Sequence, residues 1–154
     1  MNLRRHHGEL DYFPETDQMM LDGRPFTGIL IPKPGSRRSS EKEYRNGVLH
    51  GLSRSCWPSG GPKFLWETKW GAQHGISKEW YENGQLEEEA MYELGTCRCR
   101  RRWDEGGNLL EDYRLEEDSE EYEFLLKLRK TYYGHEGEER GDEIIPGFED
   151  SEEE

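Results

Sequence analysis

Apolar and polar side chains alternate along two stretches that read as copies of each other. In the first, Leu52, Arg54 and Cys56 share one face of an extended strand. In the second, Ile76, Lys78 and Trp80 do the same, leaving Trp57 and Tyr81 on the opposite face. The strands returning from these carry Trp66, Ala90 and Tyr113 at equivalent places, preceded by Phe64 in one unit and by Leu86 and Leu109 in the others. A period of two marks strands, because successive side chains of an extended chain leave opposite faces of a sheet. Both faces carry aromatics, and two dispositions follow. Either one face packs on the terminal segments while the other stays half exposed, or an exposed row drawn from Trp57, Trp70, Tyr81 and Trp103 forms a surface for a partner.

Glycine punctuates the alternation. Gly23, Gly35, Gly47, Gly60, Gly71, Gly84, Gly95 and Gly106 follow one another at intervals of 11 to 13 residues, the length of one short strand plus a tight turn. The chain is therefore expected to zigzag as an all-β antiparallel meander of about eight strands. Doubling the interval gives a unit of two strands and two turns. Tyr44-Arg45-Asn46-Gly47-Val48-Leu49-His50-Gly51 answers Trp70-Gly71-Ala72-Gln73-His74-Gly75, and Cys56-Trp57-Pro58-Ser59-Gly60 answers Trp80-Tyr81-Glu82-Asn83-Gly84. Upstream, Asp22-Gly23-Arg24-Pro25-Phe26-Thr27-Gly28 is a variant of the same turn. Downstream, Arg102-Trp103-Asp104-Glu105-Gly106, followed by Leu109 and Leu110, is a compressed copy. The third copy lacks the His-Gly pair and has Cys97-Arg98-Cys99 in its place. Structural turn roles fall to Gly28, Gly47, Gly51, Gly60, Gly71, Gly75, Gly84, Gly95 and Gly106. Units of this size cannot bury a face alone and must stack on their neighbours.

Gly-x-x-His-Gly followed by aromatic-Glu-Asn-Gly-x-Leu resembles the variant MORN repeat of bacterial proteins. The closest copy spans residues 74 to 92, and the opening at 22 to 28 is similar to the usual entry into such arrays. The resemblance covers roughly residues 20 to 114 and implies a fold of paired hairpins. Proteins of this kind are commonly antitoxins or immunity proteins of bacterial toxin systems, so the resemblance implies a protein that binds and neutralises a cognate toxin. Other MORN arrays are scaffolds or lipid-surface modules attached to a second domain, so a non-enzymatic scaffold or oligomerising module is the alternative.

With 154 residues the chain has room for one domain, and 31% hydrophobic residues leaves only a thin core. At 12% aromatic content each strand is expected to contribute one or two large rings, each worth roughly 1.5 to 3 kcal/mol when buried. The net charge of −13 is concentrated at one end. Residues 136 to 154 contain ten acids against one base, Arg140, and so carry −9, leaving −4 for the remaining 135 residues. Such a segment cannot offset its ordering entropy by burial, so 135–154 is expected to be disordered. Within it, Ile144, Ile145 and Phe148 form an apolar island flanked by Asp142, Glu143, Glu149 and Asp150. The tail either keeps an aromatic-rich sheet soluble or occupies a basic cleft on a partner. That acidity points to a toxin that is basic and acts on nucleic acid.

The remaining organisation is a lead-in segment over 1–21, the repeat array over 22–115 and a helix over 118–133. The helix is marked by Tyr122, Leu125, Leu126, Leu128, Arg129 and Tyr132, with Ser119 as N-cap, acids in the first turn and Gly134 as stop. It is expected to cap the open end of the sheet, a free helix docking on a partner being the alternative. The N-terminus lacks the apolar core of about 7 to 15 residues that a secretory signal needs, and no run reaches transmembrane length. A cytoplasmic protein, monomeric or weakly self-associating, is expected.

Catalytic chemistry finds little support. Cys56, Cys97 and Cys99 are an odd number without a disulfide pattern, which fits a reducing compartment. Cys97-x-Cys99 on a strand would put both thiols on one face, but no second ligand pair completes a zinc site. His50 and His74 recur in equivalent turns, as structural positions do and a unique catalytic base does not. No phosphate loop, serine elbow or paired carboxylate stands out, so no enzyme activity, metal or cofactor is expected. The basic run Arg98, Arg100, Arg101 and Arg102 divides between faces, Arg101 alone on its side, and can pair with Glu87, Glu88, Glu89, Asp104 and Glu105. Overall acidity opposes nucleic acid and anionic lipid as partners.

Overall fold

The computed structural model describes residues 3 to 134. Among them, twelve strands precede one helix: β1 (Arg4–His6), β2 (Asp11–Phe13), β3 (Gln18–Leu21), β4 (Arg24–Pro25), β5 (Gly28–Ile31), β6 (Glu41–Arg45), β7 (Val48–Cys56), β8 (Pro62–Lys69), β9 (Ala72–Trp80), β10 (Leu86–Glu93), β11 (Thr96–Trp103), β12 (Leu109–Arg114) and α1 (Glu120–Tyr133). From β5 to β12 every strand pairs antiparallel with the next, an eight-strand meander. The acidic segment, with Asp142, Glu143, Ile144, Ile145, Phe148, Glu149 and Asp150, lies outside the described residues.

The lead-in segment contributes strands that neither the glycine spacing nor the alternation announces. β1 runs parallel to β5, with Arg4 opposite Ile29 and Arg5 opposite Leu30, and becomes the first strand of a nine-stranded sheet. A parallel pair needs a crossover, and β2, β3 and β4 occupy it as a small antiparallel sheet. Gly28 permits the parallel pairing, because a Cβ there would overlap the Leu3 carbonyl oxygen. That small sheet is tied to the meander where Met19 N–H donates to Gly47 O at 2.8 Å and Gln18 Nε2 to Asn46 O at 2.9 Å.

The core is as thin as the composition implies. Phe26 and Leu30 are almost fully buried, with the Tyr44 ring centred 6.1 Å from that of Phe26. Farther along, one cross-sheet row reads Ser53, Trp66, Ser77, Ala90, Arg100, Tyr113. Trp66, Ala90 and Tyr113 thus share a face, as the alternation places them. Ser53 and Ser77 are buried on either side of Trp66, since a wide indole leaves room only for small neighbours on a close-packed face. Leu52, Arg54 and Cys56 share the other face and are exposed.

Chain contacts divide the protein into two compact units, Met1–Arg114 and Leu115–Glu154. The helix belongs to the second and has the ends the sequence assigns. Ser119 is extended (φ −84°, ψ 157°) and its side chain accepts the Tyr122 N–H, while Gly134 is left-handed and donates to Lys130 O. Glu120, Glu121 and Glu123 occupy the first turn, where the helix dipole favours negative charge.

Candidate functional site

The meander has two turn edges. At the tight edge the turns Asn46-Gly47, Trp70-Gly71 and Leu94-Gly95 each hold two consecutive residues at positive φ, the geometry of a two-residue hairpin that follows strand twist. Every one of these turns is held by a side chain from the unit before it. Asn46 N–H donates to Thr27 Oγ1 at 2.9 Å, Trp70 N–H to His50 Nδ1 at 3.2 Å and Leu94 N–H to His74 Nδ1 at 3.1 Å. The recurrent histidines are turn acceptors, with the proton assigned to Nε2 by this bond. Burial, reinforced by Arg45 and Lys69 and opposed by Glu43, pushes the His50 pKa below its ordinary value, which keeps the accepting form.

The glycine after each histidine serves a second device. Glu43 Oε2 accepts the Leu52 N–H at 2.6 Å, and Glu67 Oε2 accepts the Ile76 N–H at 2.7 Å. A Cβ on Gly51 or Gly75 would overlap those oxygens. In the third copy the positions of the carboxylate and the glycine are taken by Met91 and Cys99, which face each other across β10 and β11. Acid and glycine are lost together.

The four aromatics from which a row could be drawn are divided by the fold. Trp57, Tyr81 and Trp103 lie at the wide edge, formed by the turns Trp57–Gly61, Tyr81–Gln85 and Asp104–Asn108, whereas Trp70 lies at the tight edge. The intervening eight-residue strand β8 separates the edges by roughly 25 Å. At the wide edge the rings fasten neighbouring units: Trp57 Nε1 donates to Trp80 O at 3.1 Å, and Tyr81 Oη to Trp103 O at 3.0 Å. Trp70 is different. It is 49% exposed, sits at φ 50°, packs on the His50 ring at 4.4 Å and lies under the Arg45 guanidinium at 5.5 Å. The third wide turn also departs from the spacing, because the positive-φ residue is Gly107 and not Gly106. Its N–H closes on Asp104 O as Gly60 closes on Trp57 O and Gly84 on Tyr81 O, and that bond selects the fourth residue of the turn.

The basic run is matched by carboxylates. Arg100 pairs with Glu111 at 2.8 Å, Arg101 with Asp112 at 3.4 Å, Arg98 with Glu93 at 3.4 Å, and Arg102 with Glu88 and Glu111 at 3.6 and 3.7 Å. Of the partners expected, Glu88 takes part, while Glu89 is engaged by Lys78 at 3.1 Å. Glu111 and Asp112 were readable as partners from the hairpin register alone. Burial, with Glu79 opposite, raises the Glu88 pKa.

The two neighbouring thiols do not share a face. The β10–β11 register shifts between Met91 and Tyr92, so Cys97 lies opposite Tyr92 and Cys99 opposite Met91. Those partners are consecutive on β10 and point to opposite sides. Burial pushes both thiols above their ordinary pKa.

A shallow cavity of about 510 Å³ is lined by Leu3, Leu21, Asp22, Arg24, Pro25 and Phe26, none of them a residue proposed for partner binding. Among the described residues no three His, Cys, Asp or Glu side chains gather as a metal site, and no helix is long and apolar enough to cross a membrane. Compared with protein-family models, curated proteins and solved structures, the chain matches none of them.

Proposed function

We propose that this chain is a non-enzymatic binding protein of the antitoxin or immunity kind, built on variant MORN hairpins and acting in the cytoplasm. It neutralises a basic, nucleic-acid-acting toxin by steric and electrostatic blockade. The observation that carries this reading is Trp70. A bulky residue at φ 50° is disfavoured by roughly 1 to 2 kcal/mol, and the equivalent position one unit earlier is Asn46, a residue suited to that conformation. Leu94, one unit later, adopts the same conformation at φ 49°, so the strain belongs to the turn; what sets Trp70 apart is a large indole left half exposed, the character of a binding anchor. The −9 carried by residues 136–154 supplies the attraction that speeds association with a basic protein.

The alternative, a scaffold or oligomerising module, is favoured by Leu109 and Leu110 of the terminal strand β12, which are 55% and 62% exposed. The two readings separate by affinity capture from the source cell's lysate at low and high salt. The antitoxin reading expects recovery of one basic protein that kills a host when expressed alone and spares it when co-expressed with this chain. Recovery of only this chain or of structural proteins would sink it, and retention insensitive to salt would remove its electrostatic part.

A further inference from the structure

We propose that the wide edge of the meander is a self-complementary surface on which a second copy of this chain docks in antiparallel orientation. Four connectors lie along that edge in order: residues 32–40 between β5 and β6, then the turns Trp57–Gly61, Tyr81–Gln85 and Asp104–Asn108. Each step crosses two strands, about 9 to 10 Å, so the row spans roughly 30 Å. Its charge changes sign along the way. The first connector exposes Lys33, Arg37 and Arg38, and Lys63 follows the second; the third exposes Glu82, and the fourth holds Asp104 and an exposed Glu105. Glu9, whose carboxylate accepts the His6 N–H at 2.6 Å, is an acid close to the basic corner.

The basic corner is held in place. Ser39 Oγ donates to Cys56 O at 2.7 Å and accepts the Cys56 N–H at 3.0 Å, and Arg38 N–H donates to Ser36 Oγ at 3.1 Å. The acidic corner is held equally, because Asp104 Oδ1 accepts from the N–H groups of Gly106 and Asn108, both at 2.9 Å. Two such edges laid side by side in the same direction oppose like charges at both ends. Turned end for end, each basic corner meets an acidic one, twice over, which is the arrangement a two-fold interface requires. The contact is a row of turn tips, so it belongs to the small, reversible class of interfaces. The net −13 opposes approach at long range, but at physiological salt that repulsion is screened beyond about 8 Å while the corner contacts persist.

The test uses two full-length variants with opposite edges, R37E/R38E and E82K/E105K, followed by sedimentation equilibrium at about 0.1 M salt. Wild type is expected to dimerise reversibly. Each variant alone is expected to dimerise about tenfold or more weakly, and their equimolar mixture to recover association as a heterodimer, because a predominantly acidic edge then faces a predominantly basic one. A wild type that stays monomeric, a dimer indifferent to both variants, or a mixture that fails to recover association overturns the proposal. If circular dichroism shows either double variant misfolded, R38E and E105K repeat the same comparison with one reversal per corner.

Discussion

The Glu43 carboxylate occupies the space that a side chain on residue 51 would fill, and from there it accepts the N–H of Leu52 at 2.6 Å. Gly51 and Glu43 are therefore one device, repeated at Gly75 and Glu67. Replacing Gly51 by alanine displaces the carboxylate and strains a φ of 114°. We expect G51A to cost about 2 to 3 kcal/mol, the scale of a lost charge-assisted bond plus backbone strain. E43A removes the same bond, so the double variant should lose clearly less than the sum of the two single losses. Urea titration of the four proteins checks this, and strict additivity would refute the coupling.

Trp70 separates stability from binding. Trp70→Asn relieves the disfavoured left-handed conformation while giving up the indole's packing on His50, two effects of similar size. Stability should move by less than about 1 kcal/mol. Capture of the partner should fall by tenfold or more, the loss expected of a central aromatic anchor. A variant that binds normally would remove Trp70 from the interaction surface.

Acid should loosen the tight edge through His50. Its folded pKa lies below the ordinary 6.5, so the unfolded chain takes up the proton first as pH falls. The stabilising contribution is complete above about pH 6.5 and declines as pH drops from there toward the folded value. In His50→Gln, whose amide oxygen can accept the Trp70 N–H without titrating, this part of the decline should vanish. Equilibrium unfolding of both proteins between pH 7.5 and 5 compares the slopes, and equal slopes would contradict the assignment.

Thiol reactivity should divide unequally. Cys56 is exposed, whereas Cys97 and Cys99 are part-buried and raised in pKa by that burial. A thiol-reactive dye at neutral pH should label one cysteine rapidly in the native protein and the other two only slowly or on unfolding. Mild oxidation should leave Cys97 and Cys99 unbridged, because they leave opposite faces of β11. A Cys97–Cys99 disulfide detected by peptide mass spectrometry would contradict the bulge.

Much of this architecture was legible because it is local. A two-residue turn requires positive φ, so Gly47, Gly71 and Gly95 announce it, and alternation then groups Leu52 with Arg54 and Cys56, though it does not say which face is buried, since Ser53 lies inside and Leu52 outside. What escaped is what depends on strands distant in sequence. The parallel pairing of β1 with β5 rests on the closeness of Gly28 to Leu3, 25 positions apart in the chain. The separation of Cys97 from Cys99 rests on a register shift that exists only relative to Met91 and Tyr92. Trp57 and Trp70 looked like members of one row because sequence similarity between units does not say which edge a turn occupies. Thr27 carried no visible signal as the counterpart of His50, since a hydroxyl and an imidazole share only the ability to accept one N–H.

The acceptor for each tight turn always precedes the turn it serves: Thr27 before Asn46, His50 before Trp70, His74 before Leu94. At the tight edge, dependence therefore runs one way along the chain, opposite to the wide edge, where Trp57 and Tyr81 donate to carbonyls of later units. On a ribosome, where the N-terminal end emerges first, every new tight turn finds its acceptor already synthesised. Loss of the last unit would leave upstream tight turns with their acceptors but take the Trp103 carbonyl from Tyr81, whereas excision of the first would take Thr27 away from Asn46. Each unit is thus tied to both neighbours, by its tight turn to the one before and by its wide-edge ring to the one after.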